Sequence, residues 1–328
     1  LLDFLKRSQQ FVIPIYQRTY SWTEQQCRQL WDDIIRAGKR DDISAHFIGS
    51  VVYIEQGLYQ VSGISPLLVI DGQQRLTTLQ ILLDALHSQL ESRGLVMLAA
   101  QVEPLIVNPV AFRKKPEDQY KVWPTNHDRP AFESVMSASA PVDYSTVTSS
   151  RMAEAHQFFS QCIASRLDNA PTLDVAAKLL VDAVSGQLEI VSIRLDATED
   201  AQAIFETLNA RGEPLSAADL IKNFVFQNHP GTEDQVEGAY LANWAELETP
   251  WWVTPVTSGR VTYPRSSWFL WHWLRARLLE REIAEQQAKI QAAADKAIDD
   301  QKEKESATSK LPESLTGAKL PPVPIARG

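Results

Sequence analysis

The stretch that most constrains the fold is residues 67–79, which read LLVIDGQQRLTTL. A short apolar run ends abruptly in Asp-Gly, and leucines then recur three to four residues apart from Leu76 onward. The run predicts a buried strand, and the leucine spacing predicts a helix. The first N–H groups of a helix have no acceptor within it, and they lie at the positive end of its dipole. The strand-to-helix elbow at residues 71–78 is therefore suited to phosphate oxygens.

Five residues of the 71–78 elbow have expected roles. Gly72 lets the backbone approach a ligand closely, and Arg75 offers a forked cation for bidentate contact. Thr77 or Thr78 would reach a phosphate or its metal. Asp71 would repel phosphate, so we expect it to orient Arg75, coordinate Mg²⁺, or handle a water or a ribose hydroxyl. The competing interpretation is an ordinary strand-to-helix turn with an N-terminal cap.

Composition excludes several classes of protein. With 328 residues, 44% of them hydrophobic, the chain can bury a sizeable core, and two domains are expected. No apolar run approaches the roughly 18 residues that a membrane span needs, and no signal-peptide pattern opens the chain. The first residue is Leu, which suggests a fragment. The net charge of −9 does not suggest nonspecific coating of nucleic acid, although a local basic face is compatible with it.

The cysteines and histidines also limit the possibilities. Cys27 and Cys162 lie far apart in sequence, which argues against a disulfide framework and for a reducing cytoplasm. The six histidines show no spacing typical of zinc sites, so we expect no structural metal site. The sequence therefore predicts a cytoplasmic protein with no membrane partner.

A second strand-to-helix junction lies near the start of the chain. Residues 11–15 predict an extended segment, because a proline restricts the residue before it, and a helix is predicted over about 24–38. Gln17 and Arg18 fall between these elements. A buried Gln-Arg pair has to be hydrogen-bonded, and a ligand is one way to satisfy it. The alternative is an ion pair from Arg18 to Asp32 or Asp33.

Hydrophobic periodicity predicts the other elements. The expected strands are 46–54, 66–70 and 188–195. The expected helices are 75–92, 151–186, 201–209, 215–226 and 240–283. Within 260–281 five arginines accompany the single acid Glu280, so this segment is the predicted basic face. A frayed helix is predicted from Glu282, followed by a linker over 303–328, which is rich in Pro, Ser and Lys.

A third region, residues 209–223, contains many hydrogen-bonding side chains close together in sequence and is called the third corner below. They are Asn209, Arg211, Asp219, Lys222 and Asn223. Ser216 and Asp219 form a capping-box-like pair, which partly explains both residues without a function.

Three blocks of sequence stand in one order and together resemble a known family. They are IPIYQRTYSW at 13–22, VIDGQQRLTT at 69–78 and FETLNARGEPLSAADLIKN at 205–223. Over roughly residues 1–280 they resemble the N-terminal domain of GmrS/GmrD-type modification-dependent restriction proteins, a group that includes the phosphorothioate-sensing SspE proteins. The DGQQR box is similar to the phosphate-binding box of the ParB/sulfiredoxin-like fold.

The resemblance implies an α+β fold and a division into three parts. The first, 1–110, would be a ParB-like nucleotide-binding part. The second, 111–285, would be mainly helical with a returning strand at 188–195. The third, 286–328, would be a linker or tail leading to a nuclease domain.

The resemblance also implies an NTPase that senses modified double-stranded DNA in phage defence and controls an HNH-type nuclease or nickase. Its cofactors would be ATP or GTP with Mg²⁺, and homo-oligomerisation is left open. No His-Asn-His pattern follows residue 280, so the nuclease would belong to a further part of the chain or to a separate chain.

The matched positions define the expected site residues. The catalytic residues would be Asp71, Gln74 and Arg75. The nucleotide-binding residues would be Gln17, Arg18, Gly72, Gln73, Thr77 and Thr78. The third corner, Asn209, Arg211, Asp219, Lys222 and Asn223, would support the site or contact DNA. Asp71 or a neighbouring Gln would orient the attacking water, while positioning and charge neutralisation do most of the work.

Two alternatives stay open at this point. One is a ParB-like DNA-binding adaptor that uses nucleotide as a switch without turnover. The other is a nicking enzyme that uses the Asp71 box itself.

Overall fold

The computed structural model describes residues 2–38, 46–55, 63–196 and 216–309. The chain divides into two compact units, residues 1–253 and 254–328. Asn209, Arg211 and the helix predicted over 201–209 lie outside the described residues. The division into parts at 110/111 and 285/286 stays a prediction.

The first unit contains a five-stranded sheet. Its strands are β1 (Gln9–Val12), β2 (His46–Glu55), β3 (Ser65–Asp71), β4 (Val122–Trp123) and β5 (Leu188–Leu195). They lie in the order β4-β1-β3-β2-β5, and neighbouring strands are parallel except for β2 and β3, which are antiparallel. This mixed sheet, accompanied by many helices, confirms the predicted α+β class. The strands predicted at 46–54, 66–70 and 188–195 are all present.

Helices make up most of the rest of the first unit. Those described are α1 (Leu2–Leu5), α2 (Glu24–Ala37), α3 (Gln73–Ser92), α4 (Val96–Ile106), α5 (Arg129–Met136), α6 (Arg151–Asp168), α7 (Leu173–Gly186), α8 (Ala217–Gln227), α9 (Glu233–Asn243) and α10 (Pro250–Val253). Short 3₁₀ helices lie at Val110–Phe112, Pro116–Gln119 and Ala245–Glu248.

Helix α3 forms the centre of the hydrophobic core. Leu76, Leu79, Leu82 and Leu83 are at most 1% exposed, and polar side chains on the other faces of the helix are buried as well. Burying each such leucine stabilises the fold by roughly 1.5–3 kcal/mol. The predicted leucine stripe is therefore correct, but α3 is buried on nearly all sides rather than on one.

The second unit corrects the prediction of continuous helix over 240–283. Strands β6 (Pro255–Ser258) and β7 (Val261–Pro264) form an antiparallel hairpin before α11 (Arg265–Ser309) begins. The hairpin turns at Gly259, whose φ of +64° suits glycine, and its strands carry Val and Thr residues that favour extended backbone. Helix α11 also continues to Ser309, through the segment predicted to fray from Glu282.

The direction of the strands decides where the polar loops meet. Because β4, β1 and β3 are adjacent and parallel, their carboxyl ends lie at one edge of the sheet. The segments that leave this edge are 13–22, 72–75 and 124–128. A hydrogen bond of 2.8 Å from the Tyr20 N–H to Asp128 joins the first segment to the last. Ligands of open α/β sheets commonly bind at such an edge.

Two further features are the state of the cysteines and the hydropathy of the helices. Both cysteines, Cys27 and Cys162, are free thiols. Within the described ranges, no helix is both long enough and apolar enough to cross a membrane.

Candidate functional site

The amino end of α3 carries no side-chain cap within the described residues. Gly72 occupies the cap position with φ +90°, and the first helical bond runs from the Leu76 N–H to the Gly72 carbonyl at 3.0 Å. The N–H groups of residues 73–75 thus have no acceptor inside the helix. The first turn of α3 contains no acidic side chain. These features give the amino end of a 20-residue helix the electrostatics of an anion site.

Two glycines bring α3 against the backbone of β2. A Cβ added to Gly72 would lie 2.7 Å from the Ser50 carbonyl oxygen. Gly49, within β2, has φ +115°, and a Cβ there would lie 2.4 Å from the Arg75 guanidinium carbon. The close approach that Gly72 permits is therefore to the chain's own backbone. Gly49 was not anticipated from the sequence, although a glycine inside a strand pattern often marks a close backbone approach.

Arg75 and Asp71 form a partly buried pair at this point. The Arg75 guanidinium donates to the Ser50 carbonyl at 2.6 Å. Burial lowers the pKa of Arg75, and the nearby Asp71 carboxylate opposes that shift. Burial also raises the pKa of Asp71, while Arg75, the Gly72 N–H and Arg18 act in the opposite direction. Both Arg75 and Arg18 therefore act electrostatically on the Asp71 carboxylate.

Gln17 lies beside this pair and is 3% exposed. Its Nε2 donates to the Ile70 carbonyl at 3.2 Å, directly before Asp71. Its Oε1 is buried and has no hydrogen-bond partner among the described residues. The 17–18 junction therefore lies beside the 71–78 elbow, and Arg18 acts on the Asp71 carboxylate. The aspartate Asp33, considered as an alternative partner of Arg18, pairs with Arg36 at 3.3 Å and with His46 at 3.5 Å.

The donor set fits a magnesium–phosphate group but not a metal centre built from protein alone. In the described part of the chain, no three or more His, Cys, Asp or Glu side chains converge on a metal site. Mg²⁺ needs only one or two carboxylates when a nucleotide supplies phosphate oxygens. Asp71 and the unpartnered Gln17 Oε1 offer hard oxygen atoms of this kind.

Several predicted site residues have partners within the protein. The Gln74 carboxamide accepts from the Ser21 N–H at 2.8 Å and donates to the Thr19 carbonyl at 3.0 Å. Thr78 is fully buried, donates to the Gln74 carbonyl at 2.7 Å and lies 2.9 Å from the Tyr20 hydroxyl. These contacts favour a role in holding the 19–21 segment against α3 over direct contact with a ligand. Gln73 and Thr77, 7% and 2% exposed, are also buried in the first turns of α3.

The third corner joins the site through Lys222, which is 1% exposed. Its ammonium donates to the Gln17 carbonyl at 3.2 Å and to the Glu248 carboxylate. Asp219 lies 4.0 Å from the same ammonium, but its other oxygen accepts from the Ser216 hydroxyl at 2.7 Å in the predicted capping box. Asn223 is 2% exposed, and its Oδ1 has no partner in the described part. Glu248 was missed because no motif or periodicity marks it.

Two large cavities lie away from the elbow. One of about 580 Å³ lies between α2 and α6, and one of about 550 Å³ lies among α2, α6 and α7. Residues 71–78 line neither cavity. The larger one carries Glu24 and Glu154 against Arg28 and Arg151, so its charges balance. Phosphate oxygens favour positive potential, which the amino end of α3 and the guanidinium of Arg75 supply at the elbow.

The contact of Gly49 with Arg75 generates a stability prediction. Gly49→Ala should lower the free energy of unfolding by about 1–3 kcal/mol, because the new methyl group meets the guanidinium and the positive φ is strained. Gly94→Ala is the matched control, since Gly94 also has positive φ, +73°, and no atom lies within 4 Å of a Cβ there. Denaturant unfolding measures both variants.

The double variant Gly49→Ala with Arg75→Ala separates the steric contact with the guanidinium from the backbone strain at positive φ. In the background of Arg75→Ala, the effect of Gly49→Ala should shrink towards that of Gly94→Ala, because only backbone strain remains. If Gly49→Ala lowers the free energy of unfolding as much in the Arg75→Ala background as in the wild type, the guanidinium does not pack on Gly49.

A family model described as the GmrSD restriction endonuclease, N-terminal domain, matches residues 1–226. A comparison with curated proteins gave no match. The matched range contains all five strands of the large sheet, the 71–78 elbow and Lys222. Because the match covers well over half of the 328 residues, the chain belongs to the family of GmrSD restriction endonuclease N-terminal domains.

Proposed function

We propose that this chain is the NTPase domain of a restriction protein that senses modified DNA, and that the 71–78 elbow binds and hydrolyses the nucleotide. The observation that carries the proposal is the uncapped amino end of α3, where Arg75 and Arg18 surround the single carboxylate of Asp71. An acidic turn would repel a triphosphate. This one combines free N–H groups, a helix dipole and two guanidinium groups.

The binding roles follow from position. The N–H groups of residues 73–75 and the guanidinium of Arg75 would hold phosphate oxygens, with Arg18 alongside. Mg²⁺, when bound with the nucleotide, would neutralise phosphate charge, and Gln17 Oε1 would help to hold it together with phosphate oxygens and waters. Arg75 would exchange its contact with Ser50 for a charge-assisted bond to phosphate, or share the two through different N–H groups. ATP and GTP fit this chemistry equally well.

Asp71 is the residue best suited to orient the attacking water. Burial raises the pKa of its carboxyl group, so its ionised form is a better proton acceptor than an exposed aspartate. Arg75 would neutralise the charge that develops on the transferred phosphoryl group. Gln74, the other residue predicted to act on water, is engaged with Ser21 and Thr19 and would instead fix the 19–21 segment.

A second candidate is a nucleotide switch without turnover. The contacts of Gln74 and Thr78 within the protein favour it, because they leave Asp71 as the main group of the elbow that could handle a water. Phosphate release from NTP, measured with and without DNA, separates a switch from an NTPase.

The DNA and nuclease parts of the proposal rest on the family. A restriction endonuclease system acts on DNA, and we propose that the partner is modified double-stranded DNA, whose recognition is coupled to nucleotide hydrolysis. The nuclease would be an HNH-type domain, C-terminal or on a separate chain. The arginine-rich start of α11, residues 265–281, is the proposed DNA-contacting face, and its binding should weaken steeply with salt.

Removal of Arg75 tests the phosphate role. Arg75→Ala should lower the rate of NTP hydrolysis by about 10²-fold or more, the scale for losing an electrostatic stabiliser. Arg36→Ala is the control, because Arg36 lies on the exposed face of α2 and pairs locally with Asp33. Hydrolysis at the wild-type rate in Arg75→Ala would contradict the assignment.

Neutralising Asp71 tests the proton-acceptor role. In the fold the pKa of Asp71 is raised above its ordinary value of 3.8, so the ionised form is disfavoured at neutral pH relative to the unfolded chain. Asp71→Asn should therefore change the free energy of unfolding little, because the burial cost of the carboxylate and its attraction to Arg75 are removed together, while most of the hydrolysis is lost.

The raised pKa of Asp71 also predicts how kcat/KM depends on pH. As pH falls, kcat/KM of the wild type should decline through an apparent pKa above 3.8, when the Asp71 carboxylate takes up its proton. Residual hydrolysis by Asp71→Asn should lack that decline. A variant that is destabilised but hydrolyses NTP normally would identify Asp71 as structural only.

A further inference from the structure

Gln17 is fixed at three of its four polar groups. Its N–H donates to the Pro14 carbonyl at 3.0 Å, its Nε2 donates to the Ile70 carbonyl at 3.2 Å, and its carbonyl accepts from Lys222 at 3.2 Å. Exchanging the amide nitrogen and oxygen would set Oε1 against the Ile70 carbonyl oxygen, so the observed orientation is the favourable one. The fourth group, Oε1, remains buried and unpartnered among the described residues. A residue held in this way presents that oxygen in a fixed direction.

The third hydrogen bond of Gln17 is donated by a buried ammonium group, that of Lys222. Lys222, on α8, is 1% exposed, and its ammonium pairs with Glu248 of the 3₁₀ helix Ala245–Glu248. The second oxygen of Glu248 accepts from the Tyr240 hydroxyl on α9. A buried ammonium persists only when it is paired and hydrogen-bonded, so Glu248 is what allows Lys222 to reach the Gln17 carbonyl.

We propose that Lys222 and Glu248 are positioning residues for the nucleotide site, and that their buried ion pair holds the 17–18 loop so that Gln17 Oε1 and Arg18 stay beside Asp71. This inference rests on the proposed nucleotide-binding function. It extends the site beyond the residues matched by the family, since Glu248 lies after residue 226. Nucleotide affinity at the elbow thereby depends on α8 and on the segment 245–248.

A purely stabilising ion pair would behave differently from a positioning one. Removing one partner of a buried pair destabilises a protein strongly, whereas replacing both partners by neutral groups is often tolerated. Stability can therefore be restored while the donor to the Gln17 carbonyl is still missing. This difference separates the two roles.

The experiment uses the full chain and measures Kd for Mg²⁺–ATP and Mg²⁺–GTP, together with thermal unfolding. Lys222→Met should lower Tm and raise Kd by about tenfold or more, the effect of losing a hydrogen bond from a charged group. Lys222→Met with Glu248→Gln should recover Tm and keep the raised Kd. Val181→Ala on α7 is the control for lost stability, because Val181 is 1% exposed and belongs to the core cluster that contains the leucines of α3, whereas Lys222 and Tyr240 do not. It should lower Tm and leave Kd unchanged.

A milder variant covers the case in which Lys222→Met does not fold. Tyr240→Phe removes only the hydroxyl that donates to Glu248, and it should raise Kd by a smaller factor in the same direction. Gln17→Ala should raise Kd, and adding Lys222→Met to it should raise Kd further by a smaller factor than in the wild type, because only the positioning of Arg18 is left to lose.

The outcomes are distinct. A stable double variant that binds nucleotide with the wild-type Kd would overturn the positioning role and leave the proposed function intact. A wild-type chain that binds neither nucleotide would overturn the proposed function, and this inference with it.

Discussion

The packing of the 71–78 elbow against the backbone of β2 determines the geometry of the whole site. Gly72 turns the chain at positive φ beside the Ser50 carbonyl, so α3 begins directly against the sheet. Gly49 has no side chain, and the guanidinium of Arg75 occupies the space above it and donates to Ser50. The position of this cation is thus set by backbone atoms and by a helix whose leucines form the core. Such rigid support is what a binding site needs in order to hold its groups in a fixed arrangement.

Burial perturbs both charged groups of the elbow, which supports the proposed site. Burial raises the pKa of Asp71 and lowers that of Arg75, so neither charge is fully compensated by its surroundings. Gln17 adds a buried oxygen without a partner in the described part. Perturbed pKa values and unsatisfied polar atoms cluster at sites where a ligand completes the arrangement. The Asp71–Arg75 pair, Arg18 and Gln17 form such a cluster at the carboxyl ends of β1 and β3.

Much of this arrangement was predictable from the sequence, because it depends on local signals. The apolar run before Asp71 and the leucine spacing after it identify β3 and α3, and parallel pairing of β1 with β3 then brings Gln17 and Arg18 to the same edge. Contacts between distant segments were not predictable in this way. Glu248 lies far from Lys222 in the sequence, and the role of Gly49 depends on the antiparallel pairing of β2 with β3.

Two other differences between the sequence predictions and the structure have physical causes. The side chains of Gln74 and Thr78 look equally available in the sequence, but in the fold they point into contacts with residues 19–21. The strands 255–258 and 261–264 carry Val and Thr residues on either side of Gly259, a local hairpin signal, but the apolar and aromatic residues that flank them favoured a continuous helix.

The most direct test of the central claim is a structure of the chain with Mg²⁺ and a non-hydrolysable triphosphate analogue. We expect phosphate oxygens within hydrogen-bond distance of the N–H groups of residues 73–75, with the guanidinium of Arg75 donating to them. An analogue bound elsewhere, for example in the cavity between α2 and α6, with the amino end of α3 unchanged, would contradict the account.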